Sequence, residues 1–323
     1  NAAMWGSNAV NGTINIITKK ARDTQGGLVA VRAGSEDKGN VSARYGFAAG
    51  DNGHLRLYAK GGATRGGYAS DDSRAGDKGD SGMVGFRGDW LLSSGNRLFV
   101  NGETYRYHNT DTYAFPDPLA APSYVTRFDW TMAITGGHLQ GRFESLNDDG
   151  SELSIQSYLA HREMDVGNQM KEKRTTADVD VQYRLAPKCA HDLMIGANYR
   201  NSRDEIHSAS PYVGFKGNRN DFQLASIFAN DEITVIPDRL KATFGVRLEH
   251  NNYSGTALQP TARFLWTPTG EQAIWGALSS ATRTPSRADR DASIYSQVLP
   301  PVPPFVPFPT LVRYVGAQGP KPD

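Results

Sequence analysis

The segment Ala177-Asp178-Val179-Asp180-Val181-Gln182-Tyr183-Arg184-Leu185 decides the fold. Successive side chains of an extended chain point to opposite faces. Val179, Val181, Tyr183 and Leu185 therefore share one face, and Asp178, Asp180, Gln182 and Arg184 share the other. A helix needs an apolar residue every three to four positions, a spacing that is absent here. The alternation recurs outward in both directions. Leu240, Ala242, Phe244, Val246 and Leu248 oppose Lys241, Thr243, Arg247 and Glu249, and Leu55, Leu57 and Ala59 oppose Arg56, Tyr58 and Lys60.

By this criterion about thirteen strands are predicted, over 27–33, 40–48, 54–63, 82–92, 96–107, 127–144, 152–161, 177–185, 192–200, 222–235, 239–250, 258–267 and 272–281. The sixth changes phase: Phe128, Trp130, Met132 and Ile134 come before Gly136-Gly137, and Leu139 and Phe143 come after. This predicts a bulge at the glycine pair. The connections alternate in length. Short ones (50–53, 93–95, 147–150, 186–191, 236–238, 268–271) carry Gly, Pro, Asp and Asn in turn positions. Long ones span 64–81, 108–126, 162–176, 201–221 and everything after 282, with 34–39 and 251–257 as shorter exceptions on that side. Short turns at one end and long loops at the other are the pattern of outer-membrane barrels. A soluble β-sandwich also alternates, but it needs a second apolar set to form a shared core, and none is present. The fold expected is all-β, an antiparallel transmembrane β-barrel whose apolar face meets lipid and whose polar face lines a wet lumen.

Composition agrees. No apolar run among the 323 residues is long enough for a membrane helix. Low mean hydropathy suits strands in which only alternate residues meet lipid. Lys+Arg 35 against Asp+Glu 34 leaves a net charge of +1, which argues against a nucleic-acid binder. Thirty-four glycines are costly in helices and lean toward β structure. Trp90, Phe128, Trp130, Trp266 and Trp275 fall near predicted strand ends, where interfacial girdles sit. Cys189 stands alone in a turn, without a partner for a disulfide or a cysteine metal site.

The run Ala3-Met4-Trp5-Gly6-Ser7-Asn8-Ala9-Val10-Asn11-Gly12-Thr13-Ile14-Asn15-Ile16-Ile17-Thr18-Lys19 resembles the end of the plug domain of TonB-dependent outer-membrane receptors, just ahead of the first barrel strand. The residues that carry the motif are Trp5, Gly6, Asn8, Asn11, Gly12 and Asn15. Gly6 and Gly12 permit close backbone approach, and Ile14, Ile16 and Ile17 supply residues for a buried strand. Phe228-Ala229-Asn230-Asp231-Glu232, Ile236-Pro237-Asp238-Arg239-Leu240 and Gly245-Val246-Arg247-Leu248-Glu249 resemble the family's mid-barrel signature. Pro260-Thr261-Ala262-Arg263 and Ala281-Thr282-Arg283-Thr284-Pro285 resemble later strands.

The resemblance implies a cell outer-membrane protein of a Gram-negative bacterium, with residues 1–25 as the end of the plug and 26–323 as the N-terminal part of a 22-stranded barrel. Bacterial single-chain barrels have even strand numbers, so an odd count is expected to mean an incomplete barrel that would not insert as a closed monomer on its own. A signal peptide and a TonB box are expected upstream of Asn1, and the full-length protein is expected to be monomeric in outer-membrane lipid. The function implied is TonB-dependent uptake of a scarce nutrient, a small-molecule metal chelate of the ferric siderophore type. A receptor for cobalamin or another nutrient is an alternative within the family. A passive porin-like channel and a soluble β-sandwich binding module are alternatives outside it. A porin has an open channel and no plug, so the segment from Trp5 to Lys19 argues against that reading.

No enzyme motif is present, and neither a cofactor nor a resident metal is expected. The seven histidines are scattered without zinc spacing. Asp71-Asp72 and Asp148-Asp149 lack calcium-ligand spacing. No histidine occurs from Ala281 to Asp323 beyond Arg283-Thr284-Pro285, which lowers a haem reading within the family. Ligand contact is expected instead in the loop from His108 to Arg127, with Tyr113, Phe115 and Tyr124, and Tyr105 and Tyr107 just below it. Aromatic and arginine side chains suit a catecholate-like or planar ligand. The Pro-rich run Leu299–Pro309 is expected to form a stiff, extended, exposed arm.

Overall fold

The alternating segments join into one antiparallel sheet. The computed structural model describes residues 6–8, 13–35, 37–68 and 76–317. Trp5, Asn11, Gly12, Asp71 and Asp72 lie outside the described residues. In chain order the strands are β1 (Gly26–Arg32), β2 (Asp37–Ala48), β3 (Gly53–Thr64), β4 (Gly79–Leu91), β5 (Arg97–Pro116), β6 (Val125–Leu146), β7 (Glu152–Val166), β8 (Met170–Arg184), β9 (His191–Ser208), β10 (Val213–Phe215), β11 (Arg219–Ile236), β12 (Leu240–Asn251), β13 (Gly255–Thr269), β14 (Gln272–Ser279), β15 (Ala292–Leu299) and β16 (Thr310–Val315). One short helix, α1 (Arg287–Asp291), precedes β15. Thirteen strands, all but β10, β15 and β16, pair each with the next, so the sheet has β1 and β14 as its edges and is not closed. The other three form a small sheet in the order β10-β15-β16.

Register fixes the two faces, because directly paired residues share a face. Arg44 pairs with Tyr58, Arg56 with Arg87 and Arg87 with Asn101. Farther along, Tyr158 pairs with Asp178, Asp178 with Arg200 and Arg247 with Gln259. This face, here the inner one, carries the N-terminal segment. Arg87 donates to the Thr18 carbonyl at 3.2 Å and its hydroxyl at 2.5 Å. Arg56 donates to the Lys19 carbonyl at 3.1 Å, and the Ala21 N–H donates to Asp89 at 2.6 Å. The outer face carries Leu57, Phe86, Val179, Val181, Ile195, Ile227, Val246, Leu258 and Phe264.

Burial is inverted relative to a water-soluble domain. Leu258 is 60% exposed on the outer face, while Arg247, Glu249, Gln259 and Thr261 are buried on the inner one. Apolar out and polar in is what a lipid-facing wall requires, and the outer-face residues Val179, Ile227, Val246 and Phe264 are exposed as well, where a sandwich would bury its apolar face against a second sheet. No helix among the described residues is long and apolar enough to cross a membrane.

Inner and outer aromatics settle onto glycines of the neighbouring strand. Tyr58 faces its partner Gly85, Phe86 faces Gly102, Tyr105 faces Gly136, Phe228 faces Gly196 and Phe264 faces Gly276. A Cβ at any of the five glycines would stand 2.5–2.7 Å from the nearest atom of the aromatic side chain. The missing side chain is the space the ring fills.

Four expectations are corrected. There is no bulge at Gly136-Gly137: pairing runs unbroken through Tyr105↔Gly136 and Thr104↔Gly137. The phase change is a change of face. Phe128, Trp130, Met132 and Ile134 are inner residues, while Leu139 and Phe143 are outer ones. Three predicted long loops are mostly strand. β5–β6, β7–β8 and β9–β11 keep pairing far beyond the apolar band, leaving only 117–124, 167–169 and 209–218 as connections, the last interrupted by β10. Outer-face ion pairs replace the apolar contacts there: Lys173–Glu163 at 3.0 Å, Lys171–Asp165 at 2.8 Å, Arg219–Glu205 at 3.2 Å and Arg203–Asp221 at 3.1 Å. The Pro-rich run is the tip of the β15–β16 hairpin rather than an extended arm. Val302 and Val306 exchange N–H···O bonds of 2.8 and 2.9 Å, and the prolines need no donor at that turn. Finally, Ile14, Ile16 and Ile17 are 92, 81 and 85% exposed instead of buried, because residues 13–20 form no strand and are tied down through the carbonyls of Thr18 and Lys19.

The short turns follow their chemistry. Cys189 is exposed with φ +56. Asp149 accepts from the Ser151 N–H at 2.9 Å and hydroxyl at 2.7 Å, which holds its carboxyl below the usual range and makes it a turn cap.

Candidate functional site

β5 and β6 form the longest hairpin, and its free half brings aromatic side chains together on the inner face. Tyr113 pairs directly with Phe128 and Asp111 with Trp130. The Tyr113 and Trp130 rings lie 3.8 Å apart between centroids, Phe115 and Phe128 6.1 Å, and Tyr113 and Phe115 6.4 Å. Tyr212, from the connection before β10, stacks on Phe115 at 4.9 Å. Each such contact is worth about 0.5–1.5 kcal/mol beyond area burial. The cluster is still open: Tyr113 is 42% and Phe128 46% exposed. Large, stiff, half-exposed rings on an inner wall offer contact to a planar or apolar ligand at low entropic cost.

The residues singled out in the sequence are divided by the fold. Tyr105, Tyr107, Tyr113 and Phe115 share the inner face of β5. His108 lies on the opposite face with its Nδ1 3.4 Å from Asp80, and Arg127, paired with Ala114, is exposed on that same outer face. Tyr124 sits in the hairpin turn with φ +52. Its N–H donates to the Ala120 carbonyl at 2.7 Å, and its own carbonyl accepts from the Asp117 N–H at 2.9 Å. Asp117 in the same turn accepts from the Leu119 N–H and the Thr126 hydroxyl, which lowers its carboxyl pKa, the hydroxyl being the larger cause. Tyr105 and Tyr107 line a second inner cavity of about 710 Å³ with Ser42, Lys60, Met83 and Glu103.

Of the opening-motif residues, Gly6 has φ +78 and is buried. A Cβ there would stand 3.0 Å from Glu249 and 3.3 Å from Arg247. Asn8 hydrogen-bonds to the chain around Thr284, and Asn15 is exposed.

Sequence reasoning missed a buried charge cluster beneath α1. Arg287 donates to Asp204 and, at 2.5 Å, to the Gly217 carbonyl, and it faces Asp291 at 3.0 Å. Arg174 stands 2.7 Å from Glu172 and 3.6 Å from Asp204. Glu172, Arg174, Asp204 and Arg287 border a cavity of about 540 Å³ that Tyr253 and Thr284 also line. Arg290 covers the Tyr253 ring at 4.0 Å, and burial pushes the Tyr253 phenol up. The available signal was Ser286-x-x-Asp289, a capping box. In the structure the Ser286 hydroxyl caps Asp289, and the Asp289 carboxylate accepts from the Ser286 N–H at 2.8 Å. Trp130 and Phe128 were also missed as site residues, having been assigned to an interfacial girdle. Among the described residues no group of three or more His, Cys, Asp or Glu side chains is arranged to hold a metal ion.

Residues 21–316 match the family described as TonB dependent receptor-like, beta-barrel. The vitamin B12 transporter BtuB of Vibrio cholerae is 32% identical over 120 residues, which cover 34% of this chain and 19% of that protein. The crystal structure of the siderophore receptor PirA from Acinetobacter baumannii aligns with a TM-score of 0.71 at 17% identity, over 97% of this chain and 51% of that one. A mutant of the ferric enterobactin receptor PfeA from Pseudomonas aeruginosa aligns with 0.68 at 15% identity, over 91% and 49%. The ferric-catecholate import receptor Fiu from E. coli K12 aligns with 0.67 at 15% identity, over 87% and 53%. The chain thus spans about half the length of these solved receptors. With the family's barrel matched along almost the whole sheet, this chain belongs to the TonB-dependent receptor-like β-barrel family.

Proposed function

We propose that this chain forms the ligand-facing wall of an outer-membrane receptor that imports a ferric siderophore with energy delivered by TonB. In this reading residues 1–25 end the plug, residues 26–323 are barrel wall, the outer face meets lipid, and the long hairpins face outward from the cell. The observation that carries it is the open aromatic cluster of Tyr113, Phe115, Phe128, Trp130 and Tyr212 on the inner face. Planar catecholate rings suit such a surface. The siderophore and catecholate receptors of like fold support the choice of ligand class. Tyr105 and Tyr107, lower on the same face, extend the contact surface toward the N-terminal segment.

A second reading, cobalamin uptake, is favoured by the likeness to the vitamin B12 transporter. Trp130 reports on both. Tryptophan fluorescence of the detergent-solubilised protein should quench with a ferric catecholate chelate and not with cyanocobalamin, and Trp130→Phe should remove most of the signal. Quenching by cyanocobalamin alone would reverse the assignment.

A further inference from the structure

The N-terminal segment and the small β10-β15-β16 sheet lie at opposite ends of a continuous set of hydrogen bonds. Ser7 donates its hydroxyl and, at 3.3 Å, its N–H to Glu249, whose side chain is 2% exposed beside Arg247. Asn8 then grips residues 280–286, the connection between β14 and α1, from two sides. Its N–H donates to the Thr282 carbonyl at 2.9 Å, and its Oδ1 accepts from the Thr284 N–H at 3.0 Å. Between Ser280, which donates to the Pro260 carbonyl, and the capping box at Ser286, these are the bonds that tie the connection's backbone to the rest of the chain among the described residues. The Thr284 hydroxyl beside these bonds is buried and has no hydrogen-bond partner among the described residues.

Beyond the connection the bonds continue. The capping box starts α1, Arg287 of α1 is locked to Asp204 of the wall, and the Asp291 carbonyl accepts from the Lys216 N–H at 2.9 Å. β15 pairs with β10, the Tyr295 N–H donates to the Tyr212 carbonyl at 3.0 Å, and the Tyr212 ring stacks on Phe115. We propose that Asn8 is a latch: while it holds 282–284, the β10-β15-β16 sheet stays seated over the inner face, and displacement of residues 6–8 frees the connection and loosens that sheet. Asn8 is a positioning residue. The coupling does not depend on which ligand the aromatic cluster takes.

Hydrogen exchange on the full protein in detergent tests this. Asn8→Ala removes the acceptor of the Thr284 N–H, and one hydrogen bond of about 1 kcal/mol corresponds to about fivefold. Exchange should quicken by about that factor in peptides covering 282–299 and also in 211–217, which Asn8 does not touch. Faster exchange confined to 282–284 would overturn the latch. Because a variant can also loosen the fold generally, a second variant works in the opposite direction. Asn8→Cys with Thr284→Cys, in a Cys189→Ser background, closes the latch covalently. Oxidation should slow exchange in 211–217 and 292–299, and reduction should restore it. No difference between the oxidised and reduced forms in those two peptides would also overturn it.

Discussion

Gly196 offers the sharpest quantitative test of how the wall is built. It pairs with Gln182 on one side and Phe228 on the other, in the middle of the sheet. A Cβ there would stand 2.5 Å from two atoms of the Phe228 ring and 2.8 Å from the Val181 carbonyl oxygen. The carbonyl belongs to the neighbouring strand's backbone and gives little, so Gly196→Ala must displace the ring. Phe228 is 5% exposed, and the Arg247 guanidinium sits 5.5 Å above it while donating to Ser226 at 2.6 Å. Overpacking costs about 1–3 kcal/mol, and loosening the cation–π contact adds about 0.5–1 kcal/mol, so Gly196→Ala should lose about 1.5–4 kcal/mol. Urea unfolding of the full-length receptor inserted in vesicles, followed by tryptophan fluorescence, would measure it. The cause is isolated by a cycle. Phe228→Ala is itself destabilising, but in its background the ring is gone and the methyl introduced by Gly196→Ala has room on that side. The double variant should therefore be more stable than the sum of the singles predicts, by about 2 kcal/mol. Additivity within about 0.5 kcal/mol would mean that the ring and the missing Cβ do not share one space, and the reasoning for all five aromatic–glycine pairs would fail with it.

Other outcomes follow from the same geometry. Tyr113→Ala and Trp130→Ala should each weaken ligand binding by about fivefold or more, an aromatic contact of about 1 kcal/mol, whereas Arg127→Ala on the outer face should leave titrated affinity unchanged; equal losses in all three would contradict the division of faces. The Asp289 carboxyl is held below its ordinary 3.8, chiefly by the Ser286 N–H and hydroxyl. A depressed folded value means that the cap's contribution is complete above the unfolded value and is lost as pH falls through the folded one. The Ser286 amide resonance should therefore move only below pH 3.8, and a transition above it would refute the cap. Native Cys189, exposed in a short turn, should resist a membrane-impermeant maleimide in intact cells, while Leu119→Cys in a Cys189→Ser background should react; the reverse pattern would invert the topology.

Thirteen strands were legible because within the apolar band one parity of each strand must be greasy and the other must not. Val179, Val181 and Tyr183 against Asp178, Asp180 and Gln182 is the pattern of a two-solvent wall, and the register confirms those faces. Past the band the signal disappears although the strand continues. On β7 the outer residues run Leu153, Ile155, Leu159 and then His161, Glu163, Asp165, and β8 answers with Thr175, Lys173 and Lys171. The inner parity there carries Arg162, Glu172 and Arg174, with Met164, Val166 and Met170 only at the tip, so no parity keeps the apolar alternation and periodicity reads a loop. Backbone pairing needs no amphipathic contrast, only a partner strand, and the cross-strand ion pairs hold that partner in place.

The same change of surroundings along a strand explains how the candidate site was misfiled. Within the band an aromatic residue on the lipid parity is unremarkable. Beyond it, an aromatic on the other parity is facing inward, where burial against lipid cannot account for it. Phe128 and Trp130 announced this in the sequence, since they sit out of phase with Leu139 and Phe143 on one strand. A bulge would restore phase by inserting a residue, but the pairing is unbroken through Gly136 and Gly137, so the phase break records a change of occupied face. Parity relative to a strand's own outer set is therefore the more useful discriminator between girdle and inner-wall aromatics: by it Phe128 and Trp130 join Tyr113 and Phe115 on the inner face, and His108 and Arg127 fall on the outer one. Tyr212 stays out of reach of any such rule. It belongs to no strand and meets Phe115 only because β10 is drawn over the wall by β15, a pairing set by two connections far apart in the chain.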